Sequence, residues 1–160
     1  MDYQYPQSQL QQEQQLKKAK IKALNLLERM DRTEAQLREK LLAAEFEPKI
    51  VEQAIAYVKS FHYLDDERYV RNYIEYRQDQ KSRRQLEQEL QFKKGVPSEL
   101  IQRVYEELEP ADEKILISRH LEKKHYCPEE CDEKQRQKLI ASLLRKGFRM
   151  GDILSVMKGF

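Results

Sequence analysis

Apolar residues recur at helical spacing along most of the chain, and their positions predict its helices. Ile21, Leu24, Leu27 and Met30 follow one another every three residues, which predicts the buried face of a first helix. The next two helices are marked by two further apolar sets, Leu37, Leu41 and Leu42, and then Ile50, Ala54, Ile55 and Val58. The same pattern continues to the end of the chain, which predicts an all-α protein.

Helix starts and stops are also marked. Thr33 with Gln36, and Ser82 with Gln85, have the spacing of a capping box, in which each side chain accepts a hydrogen bond from the other residue's backbone amide. Gly95 lies where a helix is expected to end, because glycine adopts left-handed backbone angles at little steric cost.

Three segments share one apolar pattern and predict an internal repeat. The sets Leu41–Phe46–Val51, Leu90–Val96–Ile101 and Leu143–Phe148–Ile153 align, apart from one extra residue between Leu90 and Val96. We interpret the chain as three tandem three-helix repeats over residues 17–62, 63–109 and 110–160, after a flexible tail or frayed helix start at residues 1–16. Stacked repeats bury their apolar faces on one another, so we expect an elongated, curved body.

Composition narrows the class of protein further. The chain has 160 residues with 4 glycines and 5 prolines, few enough to argue against a turn-rich β fold. No apolar run approaches the roughly 18 residues that span a bilayer, and no secretory signal pattern begins the sequence. Two cysteines cannot form a disulfide framework. We expect a soluble cytoplasmic protein with no membrane contact.

Charge is distributed unevenly. Residues 114–160 carry 11 basic and 6 acidic side chains, whereas residues 63–113 carry 9 and 13. The positive charge of residues 114–160 suits contact with an acidic protein groove or with phosphates. An ordinary solvated helix face explains this charge equally well. The candidate contact residues are Arg77, Lys81, Arg83, Arg84, Lys93, Lys94, Lys134, Arg136, Lys138, Arg145, Lys146 and Arg149.

The acidic stretch YLDDERY, residues 63–69, raises the question of catalysis. Consecutive helical residues point about 100° apart, so the three acids diverge and cannot converge on one substrate or metal ion. Asp65 instead fits a helix N-cap, with Asp66 in the favourable first turn. Leu64 and Tyr69 have the spacing of a hydrophobic staple across that helix start.

A second candidate site is a short run of potential zinc ligands. His120, His125, Cys127 and Cys131 lie within twelve residues, but their spacing matches none of the usual zinc-finger patterns. The more ordinary interpretation is a loop between helices with free thiols. We expect no metal, no cofactor and no catalytic residue, and we recognise no motif of an enzyme.

Four stretches of the sequence carry a family pattern: TEAQLREKLLAAEF, YLDDERYVRNYIEYRQ, LEQELQFKKGV and LLRKGF. Together they resemble the RecX family, regulators of the RecA recombinase, and the resemblance runs from Ala19 to Phe160. Within the second stretch, Tyr63, Leu64, Asp65 and Asp66 match the family motif and are carried over as structural residues. The sequence departs from the family at His62 and Glu45, where glycine is common, and at Tyr69–Val70.

The resemblance implies three three-helix modules and a non-enzymatic activity. It implies a monomer that binds RecA, lies in the groove of the RecA–DNA filament and restrains filament growth, ATP hydrolysis and strand exchange. Through those processes it would be a negative modulator of recombination, DNA repair and the SOS response. The alternative is a stand-alone DNA-binding module that uses the basic third repeat to hold single- or double-stranded DNA.

Overall fold

The computed structural model describes residues 4–108 and 112–160, and these residues contain helices and no strand. The helices are α1 (Gln4–Arg29), α2 (Glu34–Ala43), α3 (Pro48–Ser60), α4 (Asp66–Arg77), α5 (Arg83–Gln88), α6 (Ser98–Glu107), α7 (Glu113–Lys123), α8 (Glu133–Arg145) and α9 (Met150–Lys158). A π-helical turn, Glu89–Lys93, continues α5. None of these helices combines the length and apolar content that crossing a bilayer requires.

The chain forms two compact units, each with its own buried core. The first contains Met1–Val70 with Lys94–Pro97, and the second contains Arg71–Lys93 with Ser98–Phe160. The core of the first unit includes Leu37, Leu41, Val51, Ala54 and Val58. A core cluster of the second unit comprises Leu116, Ile117, Leu121, Leu143, Phe148, Ile153 and Met157. Each core draws on three helices in turn, which confirms the predicted all-α arrangement of three-helix repeats.

The buried face of α1 matches the predicted one only in part: Leu24 and Leu27 pack half-buried against the core, but the two outer members of the predicted set do not. Ile21 is 51% exposed and Met30 is 57% exposed, whereas Ala19 and Ala23 are fully buried. Residues three apart drift around a helix of 3.6 residues per turn, so a strict three-residue step cannot stay on one face. The face that packs follows steps of four and three through Ala19, Ala23 and Leu26. Leu42 is likewise exposed, because it lies about 100° around α2 from buried Leu41.

The glutamine-rich segment is helical from Gln4 onward and forms the start of α1. Glutamine has a high helix propensity, which accounts for the helix although the side chains of residues 8–15 are exposed. The repeat boundaries stay predictions, and the one at 109/110 lies outside the described residues.

Each of the three aligned sets runs from the end of a repeat's middle helix, through a turn, into its third helix. In the first and third sets, the amides of Phe46 and Phe148 donate to the carbonyls of Leu41 and Leu143 at 3.4 and 3.2 Å. The residue before each phenylalanine, Glu45 or Gly147, has a positive φ, as a Schellman helix end requires. In the second set, the π-helical turn Glu89–Lys93 absorbs the extra residue.

In the first unit, the turn at Gly95 packs against the start of α2. The Thr33 hydroxyl donates to the carbonyl of Lys94 at 2.6 Å, and Thr33 also forms the predicted capping box with Gln36. Gly95 has a φ of 71°, and a Cβ there would lie 2.6 Å from the Cβ of Ala35. Glycine is therefore required twice, for the backbone angle and for the close approach. We call this arrangement a glycine-turn contact.

The second unit contains an equivalent glycine-turn contact at the start of α5. The Ser82 amide donates to the carbonyl of Lys146 at 3.2 Å. Gly147 has a φ of 92°, and a Cβ there would lie 2.3 Å from the Ser82 hydroxyl oxygen. That hydroxyl also accepts from the Gln85 amide, but the Gln85 side chain does not return the bond, so only half of the predicted capping box forms.

Glu45 occupies the same turn position in the first repeat without being glycine. Its φ is 70°, its side chain is exposed, and no described residue donates to the carbonyl of Ala44. The side chain is tolerated because this turn makes no glycine-turn contact, but the backbone angle still costs energy. His62, the other position where the family often has glycine, has a φ of 60°.

Glu45→Gly is expected to stabilise the protein. Glycine removes the cost of left-handed backbone angles in a residue with a Cβ, which is about 1–2 kcal/mol. It also gives the unfolded chain more conformational freedom, which costs a smaller amount. The free energy of unfolding should therefore rise by about 0.5–1 kcal/mol. Urea denaturation measures the change. The matched control is Ala44→Gly, whose φ of −80° gives glycine no advantage, so it should destabilise. Equal effects of the two substitutions would contradict the prediction.

Candidate functional site

The YLDD motif forms the start of α4, and its acids cap helices. The Asp65 carboxylate accepts a hydrogen bond from the Arg68 amide at 3.1 Å, as an N-cap does. The sequence did not predict the role of Asp66. Its carboxylate accepts a hydrogen bond from the backbone amide of Glu34, the first residue of α2, at 2.8 Å. The acids therefore point to different helix starts, and they do not converge on a reaction centre.

Asp65→Ala is expected to lower the free energy of unfolding by about 1 kcal/mol, because the Arg68 amide loses its acceptor. Thermal or urea unfolding measures this loss. Asp65→Asn is the matched control, since asparagine caps helices nearly as well as aspartate, and it should stay within a few tenths of a kcal/mol. If Asp65→Ala were as stable as the parent, the Asp65 side chain would not stabilise the start of α4 by capping.

A second carboxylate repeats the role of Asp66. Glu113, the first residue of α7, accepts the Arg83 amide, the first of α5, at 2.9 Å. Burial raises the pKa of both carboxyls, and the accepted amide bond lowers it by a smaller amount. Each therefore holds the start of a middle helix from the first helix of the following repeat. The internal alignment could have shown this, because Asp66 and Glu113 both begin the first helix of a repeat.

The four potential zinc ligands are not brought together. His120 Nδ1 lies 3.1 Å from the ammonium of Lys146, and burial together with the nearby lysines lowers the His120 pKa. Cys127 and Cys131 are free thiols that line a shallow cleft of about 450 Å³ with His125. Within the described residues, no three histidine, cysteine or acidic side chains form a group that could hold a metal ion.

Several candidate cations are engaged within the protein. Lys81 forms an ion pair with the buried Glu89 carboxylate, and the Arg77 guanidinium lies 3.9 Å from the centre of the Tyr73 ring. Arg83 pairs with Glu87 at 2.7 Å and also stacks on Tyr105 and donates to Gln102. With Lys146 beside His120, these side chains stabilise the fold and are poor choices for contacts with a partner.

The remaining candidates are available to a partner. Among the described residues, no carboxylate pairs with Arg84, Lys93, Lys94, Lys134, Arg136, Lys138, Arg145 or Arg149, and all but half-buried Lys94 are exposed. Lys134, Lys138 and Arg145 lie within about 40° around the axis of α8, since each helical residue turns by about 100°. They form a basic stripe on the side of α8 away from buried Leu143.

One cleft in the second unit brings together candidates that the sequence placed in different repeats. Arg83, Arg84 and Arg149 line an opening of about 400 Å³ beside Gly147. Glu87, Glu113 and Asp152 line it as well, so its charge is mixed. The cleft is therefore suited to a polar protein surface better than to a phosphate chain.

Comparison with known proteins places these features in a family. Three models match in chain order: RecX, first three-helix domain, at residues 19–64; RecX, second three-helix domain, at 65–104; and RecX, third three-helix domain, at 116–157. The chain belongs to the RecX family. These three matches cover most of the chain, and they agree with the three-helix repeats derived from its own internal pattern.

Curated RecX proteins and solved RecX structures agree with this assignment. The regulatory protein RecX of Caldanaerobacter subterraneus subsp. tengcongensis is 32% identical over 138 residues, covering 86% of this chain and 68% of the relative. That of Actinobacillus pleuropneumoniae serotype 5b is 37% identical over 126 residues, covering 78% and 81%. The crystal structure of RecX from Lactobacillus salivarius has a TM-score of 0.74 at 19% identity, covering 91% and 96%, and shows a common fold. The chain is thus a member of a regulatory family.

Proposed function

We propose that the protein binds RecA and the groove of the RecA–DNA filament as a cytoplasmic, non-catalytic monomer, and restrains filament growth, ATP hydrolysis and strand exchange. The observation that carries the proposal is the match of all three repeats to RecX domains, in order and across most of the chain. Negative control of recombination, DNA repair and the SOS response would follow from a restrained filament.

The exposed cations offer a surface for such a partner. The α8 stripe of Lys134, Lys138 and Arg145 is not neutralised within the described part of the chain. Exposed charge of one sign attracts a partner of the opposite sign and orients it before contact. We therefore assign the α8 stripe, with Arg84, as the first surface to test.

The function is tested by the ATPase activity of RecA on single-stranded DNA. Adding the protein in slight excess over RecA should slow ATP hydrolysis, and strand exchange should slow in parallel. A heat-denatured sample at the same concentration controls for trapping of RecA or ATP by unfolded chain. Unchanged rates at stoichiometric excess would exclude the proposed function.

Reversing the α8 stripe is expected to weaken inhibition without unfolding the protein. Exposed ion pairs are worth roughly 0.2–1 kcal/mol each. At about 0.5 kcal/mol each, Lys134→Glu, Lys138→Glu and Arg145→Glu together should raise the concentration for half-inhibition about tenfold. Lys158→Glu, an exposed cation on α9, is the control and should inhibit as the parent does. Full inhibition by a folded stripe variant would show that RecA contacts another surface of the protein.

Arg83 and Arg84 provide a matched pair of neighbouring residues. Arg84→Glu should keep the parent's stability and weaken inhibition, because Arg84 has no carboxylate partner within the described residues. Arg83→Glu should be less stable, since it places a like charge beside Glu87 and removes the stack on Tyr105. Circular dichroism melts and the ATPase assay separate the two effects. The prediction would be contradicted if Arg83→Glu were as stable as the parent and lost inhibition while Arg84→Glu kept it.

The second candidate function is direct DNA binding through the third repeat, which the same α8 stripe favours. If six phosphates were contacted, the logarithm of the duplex affinity would fall with the logarithm of salt concentration with a slope of about −5.4. A titration of duplex DNA at increasing salt measures the slope. Absence of binding at low salt would exclude this candidate.

A further inference from the structure

Three aromatic side chains of the first unit form a row on the surface. The ring centres of Tyr57 and Phe61 are 5.1 Å apart at an angle of 66°, and those of Phe61 and Tyr63 are 6.1 Å apart at 31°. Phe61 is 56% exposed and Tyr63 is 53% exposed. The row begins near the end of α3 and continues into the turn before α4.

The core of the first unit does not account for this row. Its buried cluster is filled by aliphatic side chains, and of the three rings in the row Tyr57 is the one that packs against it. A single exposed aromatic residue is ordinary, but the neighbouring rings of Phe61 and Tyr63, each with about half of its surface in water, form an apolar patch. These two rings therefore have surface available for a ligand.

Two cations flank the aromatic row. The Lys20 ammonium lies 4.3 Å from the centre of the Tyr57 ring. At the other end, the Arg68 guanidinium donates to the carbonyls of His62 and Tyr63 at 3.0 and 3.3 Å, which fixes it beside the row. Neither cation has a carboxylate partner in the described residues.

The neighbouring acids do not cancel these charges. The Asp65 carboxylate is turned to the backbone amide of Arg68, and Asp66 to the amide of Glu34. Lys59, on the same helix as Tyr57, is paired with Glu34. Lys20 and Arg68 thus keep their charge for an anionic ligand at the two ends of the aromatic row.

We propose that the exposed rings of Phe61 and Tyr63, supported from behind by Tyr57, form a stacking platform for unpaired bases of single-stranded DNA, with phosphates at Lys20 and Arg68. Sites for single strands combine aromatic faces, on which any base can stack, with cations that follow the backbone. Paired bases do not expose their faces, so duplex DNA does not fit. The site is independent of RecA binding, and it places a DNA contact on the first unit rather than on the basic third repeat.

The absence of tryptophan from the sequence allows a direct test. Phe61→Trp introduces a single tryptophan into the row, and its fluorescence should be quenched when a 15-nucleotide oligothymidylate binds. An abasic deoxyribose-phosphate oligomer of the same length carries the same charge without bases. It should bind more weakly and leave the fluorescence nearly unchanged. Equal binding and equal quenching by the two oligomers would overturn the proposal.

A second measurement compares variants by fluorescence anisotropy of a labelled oligothymidylate. Phe61→Leu and Tyr63→Leu should each weaken binding at least about fivefold, the lower end of what one stacked base contributes. Tyr76→Leu, at an aromatic position 80% exposed on α4, is the control and should bind as the parent does. Unchanged oligothymidylate binding by both row variants would overturn the proposal. Weakened RecA inhibition in those same variants would then assign the row to a protein contact.

Discussion

Gly147→Ala is expected to lower the free energy of unfolding by about 3–4 kcal/mol, a large part of the 5–15 kcal/mol that stabilises a typical domain. A left-handed φ of 92° disfavours any residue with a Cβ, at a cost of roughly 1–2 kcal/mol. The new methyl group would also lie 2.3 Å from the Ser82 hydroxyl oxygen and 3.0 Å from the Gln85 Cβ. Ser82 cannot move away without losing its bond to the Gln85 amide, so overpacking adds about 1–3 kcal/mol. Urea denaturation measures the loss.

Gly151→Ala is the control for this experiment. Gly151 lies within α9, and a Cβ there would meet nothing within 4 Å. Alanine is the better helix former, so this variant should gain up to about 1 kcal/mol. Removing the Ser82 hydroxyl with Ser82→Ala should make Gly147→Ala less costly than it is in the parent. If Gly147→Ala were as well tolerated as Gly151→Ala, the glycine-turn contact would not be a source of stability.

Glu89→Ala is expected to cost about 3 kcal/mol, because two groups depend on one buried carboxylate. The Tyr73 hydroxyl donates to one of its oxygens at 2.8 Å, and the Lys81 ammonium donates to the other. Without the carboxylate, the buried Tyr73 hydroxyl loses this acceptor and the half-buried Lys81 ammonium loses its ion pair, each at a cost of about 1–3 kcal/mol. The loss is measured at neutral pH by urea denaturation. Glu87→Ala, which removes only a surface pair with Arg83, should cost about 0.5 kcal/mol.

The same carboxylate gives the parent a pH dependence with a definite sign. Burial on its own raises the pKa of Glu89, but the hydrogen bonds from Lys81 and Tyr73 outweigh it and hold the pKa below its ordinary 4.5. Since the folded pKa is depressed, the stabilisation is present above pH 4.5 and is lost as the pH falls through the folded pKa. The stability gap between parent and Glu89→Ala should therefore narrow in acid. A constant gap down to pH 3 would show that Glu89 contributes only by packing.

Much of the fold follows from the sequence because the repeats are regular. Leu41, Leu90 and Leu143 mark the same buried place in each repeat, and the structure shows all three fully buried. The extra residue after Leu90 was visible as a shift of spacing, but only the π-helical turn shows how the helix accommodates it. Glu45 and His62 stood out because glycine is common at both positions in the family, and both have a positive φ.

The parts that were missed depend on contacts between distant residues. The three-residue step placed Leu24 and Leu27 correctly against the core but wrongly included exposed Ile21 and Met30, because the buried face runs through small Ala19 and Ala23. Capping of α2 by Asp66 joins residues 32 apart in the chain. Likewise, the sequence could not divide the cations into engaged and available ones. Arg83 and Arg84 are adjacent, and only the positions of Glu87 and Tyr105 distinguish them.

The turn at Glu45 has a consequence for self-assembly. A head-to-tail contact that can be repeated generates an open filament unless something terminates it. Gly95 and Gly147 show that this kind of turn can receive the start of another middle helix only when it has no Cβ. A side chain at Glu45 is therefore incompatible with the same contact made by a second copy. The first turn thus suits a chain whose glycine-turn contacts lie within itself, as expected of the proposed monomer.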